Sequence, residues 1–327
     1  DYYTLSSLMG WPGTLKLLLC SLYPFRIKLI MKIVFDIYKK YFMNHIKIFI
    51  DLTRLNKPIG FMLLFWPCSW GLAFANFYNN NNLLIYYLIL FFIGSVLMRS
   101  AGCIFNDIVD KDIDQKVDRT KERPIAAGKI SVKQSLIYVF VLCALAFIVL
   151  IQFNFLTIML GMSSMLLAFA YPFMKRITYW PQLFLGLTFN WGLVMAWTSM
   201  GNSISAEIII LYISAIFWTL GYDTIYGIQD MSDDEIIGVK STSIKFKKNI
   251  KYFVSLAFLT TGLCMLYVLR NFIGLNLSTF LLSLFFLSLL YQILVFKINN
   301  SKSCLKAFKF NNVSGAIVFF SILVTNL

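Results

Sequence analysis

Charge is what this sequence has least of. Only 13% of its 327 residues are Asp, Glu, Lys or Arg, where a soluble globular domain carries about 25%. That shortage excludes an ordinary water-soluble domain. Histidine occurs once, as His45, which excludes triads that need a second His and argues against a zinc site. A lone His in the N-terminal region is read as solvated. The six cysteines, Cys20, Cys68, Cys103, Cys143, Cys264 and Cys304, contain no Cys-x-x-Cys pair. They point to neither a zinc nor a disulfide framework, and most fall in apolar runs as small core residues. Acids are scarcer than bases: 15 against 29, for a formal net charge of +14.

What fills the chain instead is apolar. Hydrophobic residues make up 59% and aromatics 17%, and the mean hydropathy is +0.74. Runs of about 18 residues or more, long enough for a helix to cross a bilayer, recur along it. Nine spans are expected: Ile59–Phe77, Leu83–Ile104, Leu136–Phe153, Phe155–Phe173, Pro181–Met200, Ala206–Leu220, Tyr252–Phe272, Leu277–Phe296 and Val313–Leu327. The sixth and ninth are short, and the sixth is expected to continue as a helix through Gly221–Gln229. The fold class is all-α, a polytopic membrane protein with the lipid bilayer as its partner. Residues 1–42 are basic and apolar without a clean span. They are read as an N-terminal extension, either not native or interfacial, ahead of a membrane domain over 43–327.

The bases lie between the runs, which fits a membrane better than nucleic acid, and no nucleic-acid partner is expected. They cluster before span 1 and after spans 2, 4, 6 and 8, whereas the loops after spans 1, 3, 5 and 7 offer only Arg270. Such alternation is what the positive-inside rule predicts for nine spans with an inside N-terminus.

The acids then become informative. Asp107, Asp110, Asp112, Asp114, Asp118 and Glu122 follow span 2. Asp223, Asp230, Asp233, Asp234 and Glu235 lie at or after the end of span 6. These are eleven of the 15 acids. Four spans separate the clusters, so both face the basic side. In helical geometry Asp107, Asp110 and Asp114 share a face, and Asn106, Asp110 and Asp114 share one almost as well. Asp230 and Asp234 stand at i, i+4, one heptad beyond Asp223. Like charges at such spacings repel, so something positive belongs between them. Hard carboxylate oxygens suit Mg²⁺, which takes one or two carboxylates together with substrate phosphates. Two facing clusters with Arg and Lys nearby would hold a diphosphate through Mg²⁺. A single mixed-charge loop would be a solvated surface; two on one side, holding most of the acids, favour the site. Asp112, Glu122 and Glu235 are read as ordinary solvated residues.

These residues carry a resemblance. "NDIVDKDIDQKVDRTKERPIAAG" resembles the first aspartate motif, N-D-x-x-D-x-x-x-D, of the UbiA family of intramembrane aromatic prenyltransferases. "YDTIYGIQDMSDDEIIGVKST" resembles the second, with D-x-x-x-D at Asp230 and Asp234. "RLNKPIGFMLLFWP" and "YPFMKRITYWPQLFLG" are similar to the branch that prenylates 4-hydroxybenzoate. The match covers about residues 51–246, and four motifs in order make it specific.

The resemblance implies a UbiA-like helical bundle with Mg²⁺ as cofactor and polyprenyl diphosphate and 4-hydroxybenzoate as substrates. The reaction it implies is an early membrane step of ubiquinone biosynthesis. Asn106, Asp107, Asp110, Asp114, Asp223, Asp230 and Asp234 are the implied metal ligands. Arg119, Arg123, Lys175 and Lys240 are expected to take diphosphate oxygens, Arg being suited to two-pronged contacts. A carboxylate-bearing acceptor needs a cation, for which Arg54 and Arg99 are the candidates. Arg99 falls within span 2, where a charge is costly. Its alternative is a structural ion pair with an aspartate, and that of Arg54 a topological anchor. Tyr171 and Tyr226 are candidates to orient phenol or diphosphate, with plain packing as the alternative.

Two rivals are set aside. Phosphatidyl transfer on CDP-linked alcohols also uses Asp and Mg²⁺, but its Asp-Gly and Ala-Arg preceding G-x-x-x-D-x-x-x-D are not found. A cation transporter would place its ionisable residues near the bilayer midplane, not at one face. The expected location is a bacterial inner membrane with the site on the cytoplasmic side, or else the mitochondrial inner membrane with the site toward the matrix.

Overall fold

The computed structural model describes residues 42–79 and 83–326, together with positions 31, 32, 35, 36 and 39. Most of the 1–42 extension therefore lies outside the described residues. The chain divides into two compact units, Asp1–Ile50 and Asp51–Leu327. The second carries nine long helices among the described residues: α1 (Ile59–Asn79), α2 (Leu84–Val109), α3 (Val132–Leu150), α4 (Phe155–Ile177), α5 (Pro181–Ser199), α6 (Ala206–Gly227), α7 (Ile250–Val268), α8 (Leu277–Val295) and α9 (Ser301–Leu323). Each overlaps one expected span. The five described cysteines are free thiols.

Seven of the nine are long and apolar enough to cross a membrane; α5 and α9 are not among them. Both pack against several other helices. Helices α1, α5, α6 and α9 pack pairwise into a closed ring, with α4 outside α5, α7 outside α6, α8 on α9 and α3 on α2. A helix enclosed by others needs no lipid-facing side and can carry polar groups that its neighbours satisfy. In α5, Asn190 Nδ2 donates to Gly186 O, Ala215 O and Thr219 Oγ1. In α9, Asn311 Oδ1 accepts from Trp218 Nε1 at 2.8 Å, and its Nδ2 donates to Gln292 Oε1 at 2.8 Å. Trp70 Nε1 reaches Gly315 O at 2.8 Å, and the Trp70 and Trp218 rings meet at 4.9 Å in the middle of the ring of helices. The outer helices turn apolar side chains outward instead, among them Phe140, Leu166 and Leu294.

One expected extension is seen and one boundary moves, for the same reason. The sixth helix continues past Leu220 to Gly227, as expected, with the polar Thr224 fully buried and bonded to Thr242. The ninth begins at Ser301, ahead of Val313, because Asn300 caps it through Ser303 N and Asn311 is satisfied internally.

Candidate active site

The first acidic segment does not form one helix. Helix α2 ends at Val109, Asp110 caps it with φ −92° and ψ 5°, and a short helix, Lys111–Asp114, follows. Asp110 N donates back to Asn106 O at 2.9 Å, and Asp114 N to Asp110 O at 2.8 Å. The bend keeps the helical spacing approximately, so Asn106, Asp110 and Asp114 still face one way. The second segment continues from α6 through a 3₁₀ turn, Ile228–Asp230, into a short helix, Met231–Ile237. Gly238, at φ +82°, ends that helix in the left-handed conformation that Gly adopts most easily. Beyond it, Lys240 N donates to Lys175 O at 2.9 Å. Thr242 N donates to Gln182 Oε1 at 2.9 Å and Ser243 Oγ to Thr224 O at 2.8 Å. The "GVKST" stretch is thus bonded to α4, α5 and α6, and it fixes where Asp230 and Asp234 point.

Between the two segments lies a cavity of about 160 Å³. Its walls include Asn106, Asp110, Asp114, Arg119, Arg123, Tyr171, Lys175, Asp223, Asp230, Asp234 and Lys240. Eleven of the fifteen expected site residues are therefore together. Arg54, Arg99, Asp107 and Tyr226 do not line this cavity. Asp112 and Glu122 are exposed, as is Glu235, which pairs with Lys247.

Three of the five cavity carboxylates, those of Asp110, Asp114 and Asp230, are held by cations. Lys175 Nζ donates to Asp110 Oδ2 at 2.5 Å, and Asn106 Nδ2 to the same oxygen at 2.8 Å. Arg123 Nη1 donates to Asp114 Oδ2 at 2.7 Å. Arg119 grips Asp230 with two donors and also donates to Tyr226 OH at 3.1 Å. Asp110 is nearly inaccessible; burial raises its pKa above the ordinary carboxylate range, while Lys175 pulls the other way. Burial works against the Arg119 charge, but Asp230 and Tyr226 outweigh it and raise its pKa.

Arg99 behaves differently. It has no ion pair within 4 Å of any described acid, and its buried Nε has no hydrogen-bond partner. The guanidinium lies over the Phe189 ring at 5.2 Å from the centroid and against Gly60, where a Cβ would stand 2.8 Å from Nε. The ion-pair alternative for Arg99 is thus not what the structure holds. Arg54 instead pairs with Asp107 at 2.6 Å. Neither Arg176 nor Gln182 was among the expected site residues. Arg176 donates to Val109 O at 2.6 Å and lies 3.5 Å from Asp110 Oδ1. Gln182 is buried and anchors the loop after Gly238. The "KR" and "WPQ" runs held both, with no spacing rule to mark them.

The donor set fits Mg²⁺ chemically: the cavity offers hard oxygens only, with no Cys or His on its walls. As arranged, no three of the described His, Cys, Asp or Glu side chains converge closely enough to hold an ion. Arg119, Arg123 and Lys175 instead pair with Asp230, Asp114 and Asp110. A diphosphate is the kind of anion those cations would turn to, freeing the oxygens.

The model of the UbiA prenyltransferase family matches residues 64–314. The chain belongs to the UbiA prenyltransferase family. Within the family it is 42% identical over 285 residues to the mitochondrial 4-hydroxybenzoate polyprenyltransferase of Bos taurus, a match covering 85% of this chain and 75% of that protein. It is 41% identical over 277 residues to the 4-hydroxybenzoate octaprenyltransferase of Psychromonas ingrahamii, covering 84% and 95%. Solved UbiA homologues share the fold. The apo structure from Aeropyrum pernix K1 aligns with TM-score 0.69 at 23% identity, over 81% of this chain and 98% of that one. The Archaeoglobus fulgidus homologue bound to DMAPP and Mg²⁺ aligns with TM-score 0.63 at 16% identity, over 84% and 99%.

Proposed function

We propose that this protein transfers a polyprenyl group from polyprenyl diphosphate to the carbon ortho to the hydroxyl of 4-hydroxybenzoate, an early membrane step of ubiquinone biosynthesis. The observation that carries the diphosphate half is the shared cavity, where both aspartate segments and four cations form the walls. The acceptor half rests on the names of relatives that are 41–42% identical over most of their length.

Asn106, Asp110, Asp114, Asp230 and Asp234 are the groups assigned to Mg²⁺, with Asp223 deeper in the same wall. Bound there, Mg²⁺ would neutralise the diphosphate and make it a better leaving group. Arg119, Arg123, Lys175 and Lys240 donate to the diphosphate oxygens as the allylic C–O bond breaks with its electron pair on the diphosphate. The ring carbon then forms the new C–C bond and gives its proton to the released diphosphate, which restores aromaticity. Arg99, whose Nε has no partner, is the group assigned to the acceptor carboxylate, and Tyr171 to orienting the ring. Arg54 is tied to Asp107 and serves the acceptor less directly. The surrounding apolar helices keep water from the cation.

The cofactor is Mg²⁺, as in the solved homologue that holds it with DMAPP. The membrane assigned is a bacterial or mitochondrial inner membrane, with the basic face toward cytoplasm or matrix; the Bos taurus relative is named as mitochondrial. The test is diphosphate release from detergent-solubilised protein. Release that requires both polyprenyl diphosphate and 4-hydroxybenzoate supports the proposal. Release with another aromatic acid but not with this one rejects the acceptor assignment.

A further inference from the structure

Asp107 is adjacent to Asn106 and three residues from Asp110, yet it does not share their cavity. Its carboxylate is 1% exposed. A single oxygen, Oδ1, accepts from Arg54 Nη2 at 2.6 Å and from Arg123 Nη1 at 3.0 Å. The same Arg123 nitrogen donates to Asp114 Oδ2 at 2.7 Å. Arg54, Asp107, Arg123 and Asp114 thus form a chain that begins behind the cavity and ends on its wall. Arg54 holds a left-handed backbone, φ +55°, which is uncommon for a residue other than Gly. Its ion pair with α2 is one contact that keeps it so.

A carboxylate whose Oδ1 accepts from two guanidiniums, and which does not line the cavity, is not presented to a metal there. It can do something the cavity aspartates cannot. In the loaded site Asp114 is one of the groups assigned to the metal, so Arg123 needs an anchor that stays in place. Asp107 supplies it: a buried charge-assisted bond that holds the guanidinium at the wall, with its remaining donors free for phosphate oxygens. We propose that Asp107 is not a metal ligand but a positioning residue that fixes Arg123 for the diphosphate. The inference rests on the metal–diphosphate function proposed above.

The test compares Asp107→Asn with Asp110→Asn and Arg123→Ala, in membranes normalised for inserted protein and in detergent-purified protein. Mn²⁺ binding is read by electron paramagnetic resonance in saturating inorganic pyrophosphate, and KM for polyprenyl diphosphate is read at saturating Mg²⁺. Asp107→Asn is expected to bind Mn²⁺ within about twofold of the parent and to raise KM about tenfold, the scale of one charge-assisted bond. In the Arg123→Ala background Asp107→Asn should add little, because both remove one interaction. Asp110→Asn should weaken Mn²⁺ binding by more than about tenfold. If Asp107→Asn loses Mn²⁺ as Asp110→Asn does, or leaves KM unchanged, the positioning role is overturned. If Asp110→Asn also keeps full Mn²⁺ binding, the metal–diphosphate function itself has failed. Should Asp107→Asn not accumulate, Asp107→Glu replaces it. It keeps the charge but displaces it by one methylene, and the same two outcomes apply with a KM change of about threefold.

Discussion

Arg119 and Asp230 lie 111 positions apart and meet in a two-pronged ion pair, with Nε donating to Oδ1 at 2.6 Å and Nη2 to Oδ2. The pair ties the first acidic segment to the second across the cavity. Tyr226 accepts a third bond from the same guanidinium and packs against Phe308 at 4.5 Å. A planar fork can move from a carboxylate to a phosphate without changing its geometry, which an ammonium cannot do. Arg119→Lys is therefore expected to raise KM for polyprenyl diphosphate about tenfold, with kcat falling less. Steady-state kinetics at saturating 4-hydroxybenzoate check this; an unchanged KM would remove Arg119 from the diphosphate site.

Asp110 and Asp234 stand on opposite walls of the cavity, one in each motif. Truncating either removes an oxygen that no neighbour replaces. Asp110→Ala or Asp234→Ala is expected to lower turnover by at least about 100-fold, while the protein remains folded and inserted. Product formation per inserted molecule measures the effect.

Gly60 leaves room for Arg99. A Cβ there would stand 2.8 Å from Arg99 Nε, closer than side-chain atoms approach. Gly60→Ala is expected to displace the guanidinium and raise KM for 4-hydroxybenzoate about tenfold, the value of one misplaced charge-assisted bond. KM for the prenyl substrate should stay within about twofold. Equal changes in both would show that Gly60 serves packing alone.

Ser131 supplies a contrast away from the cavity. It caps α3 in a reciprocal arrangement with Gln134. Ser131→Ala is expected to cost about 1 kcal/mol of stability and leave kcat unchanged, as seen by thermal unfolding in detergent alongside turnover.

Much of this site was legible in the sequence because its acids are rare. In a chain with so few charges, Asp107, Asp110 and Asp114 on one side and Asp230 and Asp234 on the other cannot be mistaken for scattered surface. Charge alternation between the apolar runs then placed them on one membrane face. What spacing alone left open was the choice between Asn106 and Asp107 as the third member of a face. The chain bends at Asp110, and the cavity takes Asn106. Partners fixed by tertiary contact were also out of reach: Asp107 finds Arg54 from another element, and Gln182 finds Thr242 across 60 positions. The start of α9 was missed because Asn311 looks like helix-ending polarity, and only the enclosing helices make it interior.

The most direct measurement is transfer of a labelled polyprenyl group to 4-hydroxybenzoate by membranes containing this protein, with Mg²⁺ and then with the metal chelated by EDTA. Prenylated product that appears with Mg²⁺, disappears with EDTA and returns on adding Mg²⁺ is the predicted result. Product that persists at the same rate in EDTA would contradict a diphosphate held through a metal by the two aspartate segments.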